Sequence, residues 1–136
     1  MSANLAHALE ILGDRWTLQV VAGLLEGPRR FGELAGSLDG IAPNVLTARL
    51  RQLERQGLVV ATPYSQRPVR LAYALTDSGR ELAGAISLLS AWGARQTGSS
   101  EGPVHSSCGT ALETILYCPT CERPGETGVS ALVRWM

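Results

Sequence analysis

Along most of the chain, apolar residues recur every three or four positions, and one stretch alternates every second position. Leu5, Ala8, Leu9 and Leu12 follow helical spacing after Asn4, which can cap a helix, and Gly13 closes the run. Asp14 can cap a second helix, in which Trp16, Val20, Val21, Leu24 and Leu25 make a broad apolar face stopped by Gly27 and Pro28. Phe31, Leu34, Ala35 and Leu38 fit a short third helix closed by Asp39 and Gly40. Pro43 then stands in the first turn of a fourth helix, where its missing N–H has no intrahelical partner to lose. At about 100° per residue, Leu46, Leu50 and Leu53 point one way and Asn44, Ala48, Arg51 and Arg55 the other. Thr47 and Gln52 lie on the shoulders. Arg49 is nearer the apolar edge, where pairing with a carboxylate is expected, and Gly57 ends the helix.

The runs "LVVATPY" and "VRLAYALT" are β-prone and joined by "SQRP", which predicts a two-strand ribbon with an exposed tip. Val69, Leu71, Tyr73 and Leu75 share one face of the second strand, so Arg70 points away from it. Thr76 or Asp77 can cap a long last helix, with Leu82, Ile86, Leu89 and Gly93 at helical spacing and Trp92 beside them. Its segment "AISLLSAWGA" is apolar over more surface than one small core needs. After "QTGSSEGP" the composition changes, which divides the chain into a domain over 1–97 and a linker with tail over 98–136. Three helices, a fourth polar on one side, a ribbon and a further helix describe a mainly α fold with a small β-wing. This is a winged helix-turn-helix, of α+β class, whose two-helix part runs from about residue 31 to 56.

At 136 residues the chain suits one compact domain with an appendage, and 45% hydrophobic residues suffice for a core. No apolar run approaches a membrane span and the N-terminus lacks a signal-peptide layout, so a cytoplasmic location is expected. The formal net charge of zero carries no global signal, but its distribution does. Between Arg29 and Arg70, seven Arg stand against Glu33, Asp39 and Glu54. All twelve basic residues are Arg; a GC-rich genome produces the same bias, yet Arg also makes bidentate contacts to phosphate and guanine. In a DNA-binding reading, Asn44, Thr47 and Arg51 reach base edges in a major groove. Arg55, Arg29 and Arg30 contact phosphate, and Arg67 and Arg70 serve from the ribbon. The bland alternative is a solvated helix face beside a basic turn.

The segments "ALEILGDRWTLQVVAGLLEGPRRFGEL", "GIAPNVLTARLRQLERQGLV" and "YALTDSGREL" resemble the HxlR-type family of bacterial transcriptional regulators, over residues 5 to about 97. The resemblance implies a winged-helix homodimer on double-stranded operator DNA, with first and last helices forming the subunit interface. Leu5, Leu9, Leu89 and Trp92 would then be interface residues. Two positions depart from the family pattern. Ala3 stands about where many such proteins carry a cysteine, used by some to sense oxidants or electrophiles. Ala42 stands where Ser is usual, and loss of that cap costs about 1 kcal/mol of helix stability.

The tail holds all three cysteines, in the pattern His105-x2-Cys108-x9-Cys118-x2-Cys121. Tetrahedral Zn²⁺ accepts three thiolates and an imidazole, and a two-residue gap lets one turn present both ligands of a pair. The tail resembles a small zinc-ribbon-like module holding one structural Zn²⁺ per subunit. Glu122 occupies the place where such knuckles usually have Gly. A Cys118–Cys121 redox pair and an unfolded tail are the competing readings. His7 and His105 are the only histidines, no phosphate-loop spacing is present, and no paired carboxylates stand out, so no enzyme is expected. The expected function is a dimeric, sequence-specific DNA-binding regulator, a repressor rather than an activator. The alternative is a metal- or redox-responsive protein-interaction module with the winged helix as scaffold.

Overall fold

The computed structural model describes residues 2–99, 102, 104–112, 115 and 117–125. The part of the expected tail at 126–136 lies outside the described residues. Packing divides the chain into two compact units, Met1–Ser87 and Leu88–Met136. The sequence placed the boundary ten residues later, at the composition change.

The first unit begins with helix α1, Ala3–Leu12, capped by Ser2 rather than by Asn4, whose N–H donates to Ser2 Oγ. Gly13 N–H closes α1 on the Leu9 carbonyl. The second helix, α2, Thr17–Leu24, has Trp16 at its N-cap position, without a side-chain bond of its own. Asp14, two residues before it, still serves the helix start, because its Oδ1 accepts the N–H groups of Trp16 at 2.8 Å and Thr17 at 3.1 Å. A two-residue strand β1, Arg29–Arg30, leads into α3, Phe31–Ser37, and then α4, Pro43–Arg55. The α4 N-cap is Ala42, with no side-chain capping bond. Leu34, Leu46, Leu50, Leu53, Val20 and Val21 are all but fully buried and form the centre of the core. Burying each such side chain contributes about 1.5–3 kcal/mol.

Strands β2, Val59–Gln66, and β3, Val69–Leu75, form the expected antiparallel ribbon. The ribbon is not two-stranded, however. β1 pairs with β3, Arg29 opposite Tyr73 and Arg30 opposite Ala72, giving a three-stranded sheet in the order β1-β3-β2. Two residues carry too little periodicity to be recognised as a strand; only the partner strand reveals them. The β2–β3 register shifts between Pro63 and Ser65. The shared face of β3 is buried only at its base: Leu75 is buried, whereas Val69 near the tip is 64% exposed.

The long last helix is interrupted. Thr76 caps a single turn, α5, Asp77–Arg80, and α6 runs from Ala83 to Thr97. Thr76 Oγ1 donates to the Gly57 carbonyl at 2.6 Å and accepts the Gly79 N–H at 3.1 Å. The Thr76 N–H meets the Leu58 carbonyl at 3.0 Å, so the chain after α4 and the chain before α5 are stitched together. Gly79 is buried at this stitch, and a Cβ there would overlap the Leu58 carbonyl oxygen and crowd Leu75 at 3.1 Å. Gly79→Ala is therefore expected to lower unfolding stability by about 1–3 kcal/mol. Gly84→Ala, with nothing within 4 Å, should be neutral or slightly stabilising. Urea denaturation of both variants measures this; equal stabilities would remove the steric account.

Leu82 and Ile86 pack against the core of the first unit. Farther along α6, Leu88, Leu89 and Trp92 are exposed, and on α1 Leu5 and Leu9 are exposed too. In the second unit, Val104 bridges Ala111, and the short strands β4, Tyr117–Cys118, and β5, Arg123–Pro124, pair antiparallel. Among the described residues, no helix is long and apolar enough to cross a membrane.

Candidate nucleic-acid interface

Helix α4 sets the surface. Its buried row, Leu46, Leu50 and Leu53, fixes the helix rotation, because turning it would lift three leucines out of the core. The opposite row, Asn44, Ala48, Arg51 and Arg55, is thereby left exposed, and Pro43 gives its N-terminus a fixed φ. Thr47 is half-buried and its hydroxyl donates to the Pro43 carbonyl at 3.0 Å, leaving its oxygen lone pairs and methyl group for contacts. Glu54 is the single acid on the helix. Burial and, after it, Glu54 push the Tyr73 phenol up, partly offset by Arg51.

The inner edge of α4 is tied down. Arg49 Nη1 lies 3.1 Å from Asp14 Oδ2 and 2.8 Å from Gln52 Oε1, and Gln52 Nε2 donates to the Ile11 carbonyl at 3.2 Å. Arg49 thus pairs with a carboxylate, as its place on the helix wheel suggested. Burial pushes the Asp14 carboxyl up, but the Thr17 hydroxyl, the Trp16 and Thr17 N–H groups and Arg49 outweigh it. Together they hold the carboxyl below its ordinary value. These bonds orient α4 against the α1–α2 corner. The sequence marked Asp14 as a cap and placed Gln52 on a shoulder of α4, but not that they hold α4 in place, since 35 and 41 positions separate the bonded partners.

The remaining arginines differ in what they have free. Arg51, Arg55, Arg67 and Arg70 are exposed. Arg67 stands at the tip between β2 and β3, followed by a cis peptide bond to Pro68. Arg30 is exposed and lies over the Tyr64 ring at 4.4 Å to the centroid, an arrangement that leaves the guanidinium edge open. Tyr64 is a contributor the sequence did not flag; nothing short of the folded ribbon brings it to Arg30. Arg29 has another task. Its Nε donates to the Gly23 carbonyl at 2.9 Å and its Nη2 meets Glu26 at 2.8 Å, fastening β1 to the end of α2. A groove of about 630 Å³ between the ribbon and the start of α3 is lined by Arg30, Tyr64, Arg70 and Tyr73, among others. The arrangement offers an exposed helix row with amide and guanidinium donors, flanked by cations on a projecting ribbon. Groups of these kinds can read base edges and grip phosphates.

In the second unit, the four ligand-type residues form two local pairs. His105 Nδ1 lies 3.4 Å from Cys108 Sγ, which is 3.2 Å from Thr110 Oγ1. Cys118 and Cys121 share a turn and line a cavity of about 400 Å³ with Arg123, Pro124 and Gly125. The Thr110 hydroxyl and N–H hold the Cys108 thiol below its ordinary value. Hydrogen bonds from the Cys121 N–H and side chain and the Thr120 N–H do the same for Cys118. Among the described residues, no three His, Cys, Asp or Glu side chains gather as a metal cluster.

Known proteins share this outline. The HxlR-like helix-turn-helix family matches residues 11–101. The chain is 41% identical to the uncharacterized HTH-type transcriptional regulator Rv3095 of Mycobacterium tuberculosis, over 87% of this chain and 77% of that protein. The reduced form of the transcriptional regulator YodB from Bacillus subtilis superposes with a TM-score of 0.60 at 29% identity. That match covers 70% of this chain and 93% of YodB. The uncharacterized HTH-type regulator YtcD of Bacillus subtilis superposes with a TM-score of 0.66 at 34% identity, covering 72% of this chain and 99% of YtcD.

Proposed function

The chain belongs to the HxlR-like helix-turn-helix family, and from that premise we propose that it is a dimeric, sequence-specific DNA-binding transcriptional regulator. The observation that carries the reading is the exposed row Asn44, Arg51 and Arg55 on a helix whose rotation the core fixes, beside the basic ribbon. Asn44, Thr47 and Arg51 read base edges in the major groove, since N-terminal residues of a recognition helix reach deepest. Arg55 and Arg30 grip phosphate, while Arg67 and Arg70 hold the backbone or minor groove from the wing. Arg29, fastened to Gly23 and Glu26, contributes indirectly by seating β1.

A second copy supplies the other half-site. The exposed apolar side chains of α1 (Leu5, Leu9) and α6 (Leu88, Leu89, Trp92) support self-association, because such side chains clustered on helix faces favour burial. A symmetric dimer places two recognition helices in successive major grooves about one turn apart on a pseudo-palindrome. Bound across a promoter, such a dimer would block access, which favours repression over activation.

Selection of bound fragments from genomic DNA, with retardation and footprinting of the selected pieces, tests the reading. One shifted species with two-fold symmetric protection, weakening steeply with salt, is expected. Absence of any preferred sequence at moderate salt would leave the fold as a scaffold for protein contacts instead.

A further inference from the structure

The tail contains the same small structure twice, built from unrelated residues. In the first copy, the His105 N–H donates to the Thr110 carbonyl at 2.8 Å, Cys108 stands three residues after His105, and Gly109 takes φ +70°. In the second, Cys118 pairs with Arg123, Cys121 stands three residues after Cys118, and Glu122 takes φ +53°. Each copy thus pairs residue n with n+5, places ligand atoms at n and n+3, and puts a left-handed residue at n+4. The sequences "HSSCGT" and "CPTCER" share one residue across these six places, the cysteine at n+3. Glu122 is the one non-glycine residue with positive φ among the described residues. That conformation is costly for a side chain with a Cβ and calls for a compensating interaction.

We propose that the tail is a two-knuckle site for one Zn²⁺, ligated by His105, Cys108, Cys118 and Cys121. In the first turn the n and n+3 side chains lie close together, in the second they line one cavity, and backbone N–H groups from the second turn reach its first ligand. The Cys118 sulfur accepts such bonds from Thr120 and Cys121. The first pair also has the spacing an ion needs. With bonds of about 2.3 Å to sulfur and 2.0–2.1 Å to nitrogen, tetrahedral Zn²⁺ holds S and N about 3.6 Å apart. His105 Nδ1 and Cys108 Sγ stand 3.4 Å apart. A simple N–H···S contact has that length as well, so the weight rests on the repeated turn. Three soft thiolates with one imidazole select zinc over magnesium or calcium, whose ligands are oxygens. Among the described residues the two pairs do not gather into one cluster; a shared ion would draw them together, as in small domains whose metal binding is coupled to folding. Glu122 at the left-handed position, where glycine would be free of strain, is then a tolerated defect of the second knuckle.

The test uses the full chain, with Co²⁺ as the spectroscopic probe and Zn²⁺ as competitor. One Co²⁺ per chain is expected, with thiolate-to-metal charge-transfer and tetrahedral ligand-field bands, displaced by an equivalent of Zn²⁺. His105→Ala, Cys108→Ser and Cys121→Ser should each weaken Co²⁺ binding by at least tenfold. Glu122→Gly should keep the stoichiometry and tighten binding. Thermal unfolding of the same variants reports whether the winged-helix unit is intact. Binding at full strength after His105→Ala or Cys108→Ser would remove the first knuckle from the site and overturn the four-ligand proposal. No stoichiometric metal, or a Cys118–Cys121 disulfide cycling reversibly in a metal-free chain, would overturn it too. DNA binding does not enter these readouts, so this inference and the regulator reading fail separately.

Discussion

Arg51→Ala is expected to change which base is preferred at one position of each half-site, with a loss of about 1–3 kcal/mol there. Arg51 is exposed in the middle of α4, one helical turn beyond Thr47 and two beyond Asn44, so its guanidinium can present two parallel donors to a guanine edge. Removing it leaves the helix seated, because the seat consists of Leu46, Leu50 and Leu53 and of the Arg49–Asp14 pair. Arg67→Ala at the ribbon tip should behave differently. It should weaken all sequences by a similar factor and lower the salt slope by about 1 per protomer. Affinities for a panel of single-base operator variants, each measured at several salt concentrations, separate the two behaviours. If both variants lost affinity uniformly, α4 would be gripping backbone rather than reading bases.

Charge introduced on α6 should cost more. Leu89 and Trp92 are 54% and 53% exposed in the single chain, so Leu89→Glu or Trp92→Asp should leave the subunit folded. Buried in a subunit interface, the same residues would be central apolar anchors. Truncating an anchor of that kind costs about 2 kcal/mol or more, and an unpaired buried carboxylate adds several more, by order of magnitude. The dimer dissociation constant should rise by roughly a hundredfold or more. Operator affinity should collapse with it, since the proposed dimer takes half of its DNA contacts from the second copy. Light scattering at micromolar concentrations, with circular dichroism to confirm retained helix, reports the first effect; retardation reports the second. A variant that stays dimeric and binds normally would place the interface elsewhere.

The chain's periodicity carried most of this. The spacing of Leu46, Leu50 and Leu53 determined which row of α4 is buried, and therefore that Asn44, Arg51 and Arg55 face outward. Asp14, Gly27, Pro43 and Gly57 marked helix ends through local backbone chemistry that needs no distant partner. The ribbon was legible from β-prone runs flanking "SQRP" for the same reason, and the helix wheel placed Arg49 beside the apolar edge without naming its partner. All of these rest on interactions within a few residues, or on a burial preference that each residue carries by itself.

What tertiary structure decided involves partners that side-chain periodicity does not identify, several of them far apart in the sequence. β1 exists because β3 offers Tyr73 and Ala72 as partners, roughly forty positions away. The last helix breaks at Glu81–Leu82 after the one-turn α5, whose Thr76 and Gly79 fit against Gly57 and Leu58. Arg29 and Arg30 look alike in sequence, yet one is fastened to Gly23 and Glu26 while the other rests on Tyr64 with its edge free. In the tail, ligand spacing was plain from the residues, but the repeated register and the left-handed Glu122 were not. β1 and the break before α6 depend on which distant segments come into contact, settled by the packing of the whole unit; the arginine partners and the tail turns depend on a local backbone path that side-chain periodicity does not reveal.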